Sequence, residues 1–408
     1  MNILKKIIIV SSILIIVPSI ACLGDDNLPV NELDDYMQYS SFEVSSSNME
    51  PNTYSKNIIV IDRKTLTPLY EKNAFSKVAM ASTTKIMTCI IALENCDLTE
   101  KIIVSKNAAS VKGSTLGLKE NSEISLIDLL YGLMLRSGND CAIAIAEHIS
   151  GTVEDYIFLM NQKCLELGIN NTHFVTPHGL DDDNHYTTAY DLAIITDYAL
   201  KNAIFKKIVS TKNYNITLNG YLANITNTNE LLNNVEGVYG VKTGFTFNAG
   251  RCLVTSCKRN DMDIIIVVLG SDTKKIRGLD TLNLINYIFK NYKYIDISTT
   301  INKAFSSYKN NYLNKVILYK TNDLPIIKLE KIDNYLIPLK TDGNIKLSTK
   351  IYMPTILSTN IADKQVIGNL YIYNDTNLLC SLNIYLENRL SPNSWQFYYK
   401  KILNFFIT

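Results

Sequence analysis

Along this chain the spacing of apolar positions changes character repeatedly, and each change predicts a different element. A predominantly apolar run from Ile7 to Val17, interrupted by Ser11 and Ser12, follows Lys5 and Lys6 and stops at Pro18. It is about half of the roughly 20 residues that a membrane-spanning helix needs. With the small-x-small string Ser19-Ile20-Ala21 behind it, the run reads as a secretory signal peptide over residues 1–21. Residues 22–50 sustain no apolar period and read as a flexible polar leader. From Asn57 the pattern turns strand-like, with Ile58 to Ile61 and then Thr67 to Tyr70 predicting a hairpin over Asn57–Glu71. After Ser82 it becomes helical, Ile86, Cys89, Ile90 and Leu93 recurring on one side. Helical patterns return over Leu126–Leu135 and Cys141–Ile149, so Ser137-Gly138-Asn139 falls in the turn between two helices. At Lys242 the period shortens again. Leu253 to Cys257 and Met262 to Leu269 predict paired strands, with Lys242 to Thr246 along their edge.

Beyond about residue 295 short apolar runs (Lys315–Lys320, Asp323–Leu329, Leu336–Leu339, Ile367–Tyr373) alternate with Asn, Asp and Gly, which predicts an all-β module over residues 296–388. The final stretch, 392–408, is helical in period. Trp395, Tyr398, Tyr399, Ile402, Phe405 and Phe406 fall on one face after the cap-like Asn393-Ser394, and Lys400, Lys401 and Asn404 lie elsewhere. Such a helix is too short to span a bilayer but suits its surface, with aromatics inserted and lysines on anionic headgroups. Docking against the β-module is the competing expectation.

Composition narrows the field without choosing a function. The 408 residues suffice for two or three domains with separate cores. Forty basic and 39 acidic side chains leave a formal net charge of +1, so no global field recruits nucleic acid. The eight cysteines show no paired C-x-x-C spacing, and no histidine–carboxylate spacing accompanies them, so neither a metal nor a cofactor is expected. Most sit among apolar neighbours and read as small buried hydrophobes, not disulfide partners. Cleavage after Ala21 would leave Cys22 first, which raises a lipoprotein reading that Ser19 fits poorly.

Chemistry enters with three short strings: Ser82-Thr-Thr-Lys85, Ser137-Gly-Asn139 and Lys242-Thr243-Gly244. A serine hydroxyl is a weak nucleophile until its proton is taken. A lysine three residues later lies on the same helix face, within reach of that hydroxyl. A serine–lysine pair therefore needs no histidine. The Ser82 position at a helix start also places free backbone N–H groups beside any negative charge that develops there.

Each string alone is weak evidence, but in this order and at these separations they resemble one family, the low-molecular-mass penicillin-binding proteins that act as D-alanyl-D-alanine carboxypeptidases. The stretches Leu126–Ile149, Thr172–Ala193, Asn227–Cys252 and Asp363–Leu386 are similar to that family too. Cys141 departs from it, since alanine is more usual after the Asn-Asp pair; a small apolar thiol is expected to pack the same way. The resemblance implies a mixed α/β (α+β) fold of the β-lactamase/transpeptidase type, a sheet flanked by helices over residues 51–293, followed by a C-terminal β-domain. It implies Ser82 as the acylated nucleophile and a desolvated Lys85 as its base. Ser137 would relay a proton to the leaving D-alanine nitrogen, and Asn139 would hold the substrate amide. Lys242, Thr243 and Gly244 would line the substrate site, the N–H groups of Ser82 and Phe245 would form the oxyanion hole, and Arg277 would take the terminal carboxylate. Peptidoglycan stem peptides and β-lactam inhibitors are the implied partners, at the outer face of the cytoplasmic membrane.

Two alternatives remain at this point. A serine β-lactamase shares the acylation apparatus, and Glu230-Leu-Leu-Asn233 superficially matches its water-activating Glu-x-x-Asn element; the Ser-Gly-Asn form of the second string favours the carboxypeptidase. A catalytically idle envelope protein would not need the Ser82–Lys85 pair. The four histidines, 148, 173, 178 and 185, form no triad-like string, and His178 is expected to orient a loop beside the cleft.

Overall fold

The computed structural model of the chain describes residues 50–331, 335–341 and 345–407. The expected signal peptide, leader and Cys22 lie outside the described residues.

The framework of the first region, residues 57–291, is a five-stranded antiparallel sheet. Its strands are β1 (Asn57–Asp62), β2 (Pro68–Lys72), β3 (Val238–Thr246), β4 (Gly250–Arg259) and β5 (Met262–Ser271), in the spatial order β2-β1-β5-β4-β3. The strings NIIVID and MDIIIVVLGS are apolar almost throughout because these strands are covered on both faces. Alternation sorts the side chains. Ile59, Ile61, Val254, Ile265 and Val267 point into the larger core, while Ile58, Val60, Leu253, Ile264, Ile266 and Val268 point into a second core built with Leu284, Ile285 and Ile288. The second core is covered by one long helix, Lys274–Asn291, which Thr273 caps by accepting the Ile276 N–H.

The larger core is filled by helices, α1 (Lys85–Asn95), α2 (Leu126–Leu135), α3 (Asn139–Ser150) and Val153–Glu166, Ala189–Leu200 and Ala203–Val209. Every residue of α1 from Lys85 to Ala92 is buried, so it is the helix around which the others pack. The turn that leads into α1 packs against β3 at the edge of the sheet, and α3 starts beside the start of α1. That arrangement brings the three sequence strings together.

The C-terminal region is rich in strands, as expected, but it is not all-β. A sixteen-residue helix, Ser298–Leu313, opens it and buries Ile301 and Tyr312. A four-stranded antiparallel sheet follows, with Gln365–Asn374 and Asn377–Leu386 as its centre. Strand Tyr292–Asp296 pairs with Leu336–Lys340 while its Tyr292 and Tyr294 hydroxyls donate to Leu69 O and Asp62 Oδ1, at 2.8 and 2.5 Å. The joint between the two regions is therefore hydrogen-bonded to both. The last helix, Trp395–Ile407, leaves Trp395, Tyr398, Tyr399, Ile402 and Leu403 exposed, so the face they form is not docked on the β-sheet. No helix among the described residues is long and apolar enough to cross a membrane.

Candidate active site

Ser82 lies in a 3-10 turn, Ala81–Thr84, that runs directly into α1. The turn is strained, with Ala81 at φ +48°, a left-handed conformation that costs a residue with a side chain of the order of 1 kcal/mol or more. Its neighbours hold it there. Thr83 Oγ1 donates to Met80 O at 2.6 Å, Thr84 Oγ1 donates to Ala81 O at 2.8 Å, and Gly179 sits so close that a Cβ on it would lie 2.0 Å from Ala81 O.

Lys85 is fully buried, and its Nζ donates to three oxygens from three segments: Ser82 Oγ at 3.0 Å, Asn139 Oδ1 at 2.8 Å and His178 O at 2.7 Å. Hydrogen bonding also fixes the orientation of the Asn139 amide. Its Nδ2 donates to Lys112 O at 2.7 Å, so Oδ1 must face the lysine. Gly113, at φ +92°, makes room for that contact, since a Cβ there would stand 2.7 Å from Asn139 Nδ2. The next residue anchors the neighbouring loop: the buried Asp140 carboxylate accepts the N–H groups of Leu116, Gly117 and Leu118 at 2.8–3.0 Å. Ser137, two residues before Asn139, is nearly buried and also has a positive φ of +60°. Cys141 packs beneath this turn, its Sγ filling the space that a Cβ on Gly132 or Gly138 would take. Burial pushes its thiol pKa far up, so it acts as the expected packing group.

Strand β3 completes the arrangement. A Cβ on Gly244 would approach Ser82 N to 3.0 Å and Ala81 Cβ to 3.2 Å, so glycine is what allows the strand backbone to lie against the serine turn. Lys242 is buried and donates to Thr243 O at 3.0 Å; Thr243 Oγ1 shares a 2.8 Å hydrogen bond with Thr228 Oγ1. Phe245 is half-buried, with the Arg251 guanidinium 3.9 Å from its ring centroid. Thr246 Oγ1 donates to Asp181 Oδ1 at 2.6 Å. The 177–181 loop thus ties β3, the serine turn and α1 together, since Thr88 Oγ1 donates to Pro177 O at 2.6 Å.

Arg277 is fully buried in the first turn of helix Lys274–Asn291. Its Nη2 meets both carboxylate oxygens of Glu230 at 3.0 and 2.9 Å, and its Nη1 reaches Cys252 O, the register partner of Gly244, at 3.4 Å. It joins the third string through that strand, not through the Lys85 cluster. Glu230 opens the string that only superficially matches a water-activating Glu-x-x-Asn element, and the structure gives its carboxylate a different use. Its carboxylate is taken up by a guanidinium and is not set beside Ser82 and Lys85, so it does not stand where a water-activating base would. Nothing in the string Glu230–Asn233 distinguishes the two uses.

Two histidines frame the site without joining its chemistry. His178 has a pKa lowered to about 3 by burial, with the Lys85 charge and His185 acting in the same direction; its Nδ1 accepts the Leu180 N–H at 3.2 Å. Burial likewise brings His185 to about 4, against the opposing pull of Asp182. Its Nδ1 accepts the Val175 N–H at 2.9 Å, which leaves Nε2 protonated to donate to Thr84 Oγ1 at 2.8 Å. Both rings are neutral scaffold, as the sequence suggested for His178.

Comparison with known proteins agrees with this geometry. Residues 44–273 match the model of the D-alanyl-D-alanine carboxypeptidase peptidase family S11. The chain belongs to that family. It is 33% identical to the D-alanyl-D-alanine carboxypeptidase DacF of Bacillus subtilis over 343 residues, 80% of this chain and 83% of the relative. The crystal structure of penicillin binding protein 5 from Haemophilus influenzae superposes with a TM-score of 0.70 at 27% identity, over 84% of this chain and 99% of that one. The Streptomyces K15 DD-transpeptidase superposes with a TM-score of 0.57 at 32% identity, over 59% of this chain and 98% of that one. The family match covers the sheet with its helices, and the penicillin binding protein 5 superposition, over 84% of this chain, extends into the strand-rich C-terminal part.

Proposed function

We infer that the chain is a serine-type D,D-carboxypeptidase, which removes the terminal D-alanine from peptidoglycan stem peptides through an acyl-Ser82 intermediate and is acylated by β-lactams at the same hydroxyl. The single observation that carries the reading is the Lys85 amine held between Ser82 Oγ, Asn139 Oδ1 and the His178 carbonyl. Asn139 and His178 offer acceptors only toward Lys85, so two N–H directions are committed to them. The third direction of a neutral amine, its lone pair, then faces Ser82 and takes the hydroxyl proton as Oγ attacks the carbonyl. The approach of Gly244 to Ser82 N supports an oxyanion hole made by the N–H groups of Ser82 and Phe245. Ser137, at the mouth of the second turn, would pass the proton to the departing D-alanine nitrogen. Lys242 and Thr243 would attract and orient the terminal carboxylate. Arg277 already binds a carboxylate here, that of Glu230, so a guanidinium suited to that group lies beneath the strand.

Water or an amine can accept the acyl group. The K15 neighbour is a transpeptidase, whereas the family and the Bacillus subtilis relative are carboxypeptidases. Hydrolysis is the reading that the larger coverage favours. The exposed aromatic face of Trp395–Ile407 supports association with the outer surface of the cytoplasmic membrane, following export by the N-terminal segment.

The test is mass spectrometry after incubation with benzylpenicillin. The full mass of the drug should appear on the peptide containing Ser82 and persist for minutes, and Ser82→Ala should abolish it. Labelling that survives the substitution overturns the assignment, and turnover too fast to trap the adduct favours a β-lactamase.

A further inference from the structure

The two helices that begin at the catalytic cluster also end together. Helix α1 starts at Lys85 and is capped at its C-terminus by Cys96; α3 starts at Asn139 and carries His148 in its last turn. Glu100 sits in the turn just beyond Cys96, where its N–H donates to Asp97 O at 3.1 Å. The sulfur of Cys96, a carboxylate oxygen of Glu100 and a ring nitrogen of His148 all lie within 4.8 Å of one another. His148 Nε2 and Glu100 Oε2 are already 2.9 Å apart, while Glu100 Oε1 accepts the Asp97 N–H at 2.8 Å, which fixes the direction of the carboxylate.

Three donors of different chemistry, two from the loop after α1 and one from the last turn of α3, make a convergent set. Thiolate, imidazole and carboxylate are the ligands that tetrahedral zinc takes, whereas calcium and magnesium prefer oxygens alone. Zinc holds its donors roughly 3.3–3.6 Å apart, so a slight opening of the 2.9 Å His148–Glu100 pair and a small adjustment of the Cys96 sulfur would suffice. Cys96 is partly exposed, unlike the buried Cys89, Cys141, Cys164, Cys252 and Cys257, so an ion can reach it. The Glu100 contact with a backbone N–H is the kind of supporting bond that orients a ligand.

We propose that Cys96, Glu100 and His148 form a zinc site, with water in the fourth position, that clamps the far ends of the two helices presenting Lys85 and Asn139. On binding, the Cys96 thiol releases its proton to solvent and coordinates as thiolate, and the proton that His148 Nε2 shares with Glu100 leaves that nitrogen, the neutral ring keeping its one proton on Nδ1; no redox step is involved. The expectation from sequence was that no metal binds. Spacing conceals the set, because His148 stands 48 residues from Glu100 and meets it only through the packing of α3 beside α1.

Cobalt(II) is the probe, since a thiolate ligand gives it a near-ultraviolet charge-transfer band that nitrogen and oxygen ligands do not. The purified, metal-stripped protein should develop that band with one equivalent of cobalt and lose it when zinc is added. Cys96→Ala should remove the band, and His148→Gln and Glu100→Gln should each weaken zinc binding at least about tenfold, judged against a chromophoric chelator. Zinc should raise the thermal midpoint of the native protein and leave that of Cys96→Ala unmoved, while Cys380→Ala behaves as native. Near-ultraviolet circular dichroism of each variant verifies the fold. Absence of the band in the native protein, or its survival in Cys96→Ala, overturns the site. Unchanged zinc affinity in a correctly folded His148→Gln overturns the clamp between the helices.

Discussion

The catalytic region and the C-terminal region bury different things. In the first, Lys85, Lys242 and Arg277 are almost wholly removed from solvent, together with Asp62, Asp140 and Asp280. Each has a partner: Asp280, for example, accepts from Ser55 N, Ser55 Oγ and Tyr54 N. Among the described residues beyond 295, Thr321 is the buried polar side chain, and the core is Ile, Leu and Tyr. A buried charge costs several kcal/mol unless it is paired, so a fold keeps one where position matters more than stability. The contrast locates the chemistry in the first region and leaves the second as a support whose distinctive surface is its exposed aromatic tail.

The largest expected effect uses the histidines, all four of which lie in the catalytic region. His178 and His185 are held neutral, with pKa values of about 3 and about 4. In the unfolded chain each would titrate near 6.5, so below that pH the unfolded state binds protons that the native state refuses. Their stabilising effect is therefore complete above about pH 6.5 and is lost as pH falls toward the folded values. At pH 5 the loss relative to pH 7 is about 2 kcal/mol for each ring. Denaturant unfolding at the two pH values should show the catalytic region weakened by up to about 4 kcal/mol, and the separate signal of the C-terminal region should move much less. His185→Gln, which keeps a donor toward Thr84, should flatten about half of the slope. An unchanged slope would mean that the ring is not held neutral.

A smaller effect is expected at Arg277. If the Arg277 guanidinium that now grips Glu230 also takes the substrate's terminal carboxylate, Arg277→Ala should reduce kcat/KM on D-Ala-D-Ala peptides by roughly 10–150-fold, equivalent to about 1.5–3 kcal/mol. An analogue amidated at its C-terminus should lose far less. Equal losses on both would mean that Arg277 only supports the strand through Cys252 and Glu230, and the carboxylate would then belong to Thr243 and Lys242.

What could be read from sequence divides along the same line. Ser82, Lys85 and Asn139 were legible because helix periodicity and fixed spacing put them at helix starts, and the structure joins them within 3.0 Å. The edge placement of Lys242–Thr246 followed from strand alternation and from the buried strands beyond it. The Glu230–Arg277 pair was not legible, because the partners are 47 residues apart and meet only after the sheet forms. Nor was the left-handed turn at Ala81, which depends on Gly179 pressing against it from another loop. In the C-terminal region, helix Ser298–Leu313 was taken for part of an all-β module. Ile301, Phe305, Tyr308 and Tyr312 do recur at helical spacing, but Ser, Thr and Asn between them are weak helix formers. Packing of those apolar residues in the C-terminal core outweighed that local preference.

The smallest effect on activity is expected at the tail. A chain ending at Asn393 keeps Leu390, which is fully buried, and the Asn393 N–H bond to Lys320 O, so the C-terminal core stays closed. It removes Ser394 to Thr408 and with them the exposed aromatic face. The catalytic cluster draws its bonds from residues 80–280, so kcat/KM on a small soluble peptide should change by less than about twofold. Binding to vesicles containing anionic lipid should fall sharply, because affinity at an interface scales with the apolar area inserted. Salt separates the two contributions. High ionic strength should release the full-length protein only in part, since screening weakens the attraction of Lys400 and Lys401 to headgroups but not the burial of Trp395 and Tyr399. Replacing Trp395, Tyr398 and Tyr399 together by serine should reproduce the truncation while leaving the lysines in place. If the shortened chain still sediments with vesicles, the contact lies elsewhere on the molecule, and the exposed aromatic face serves another partner.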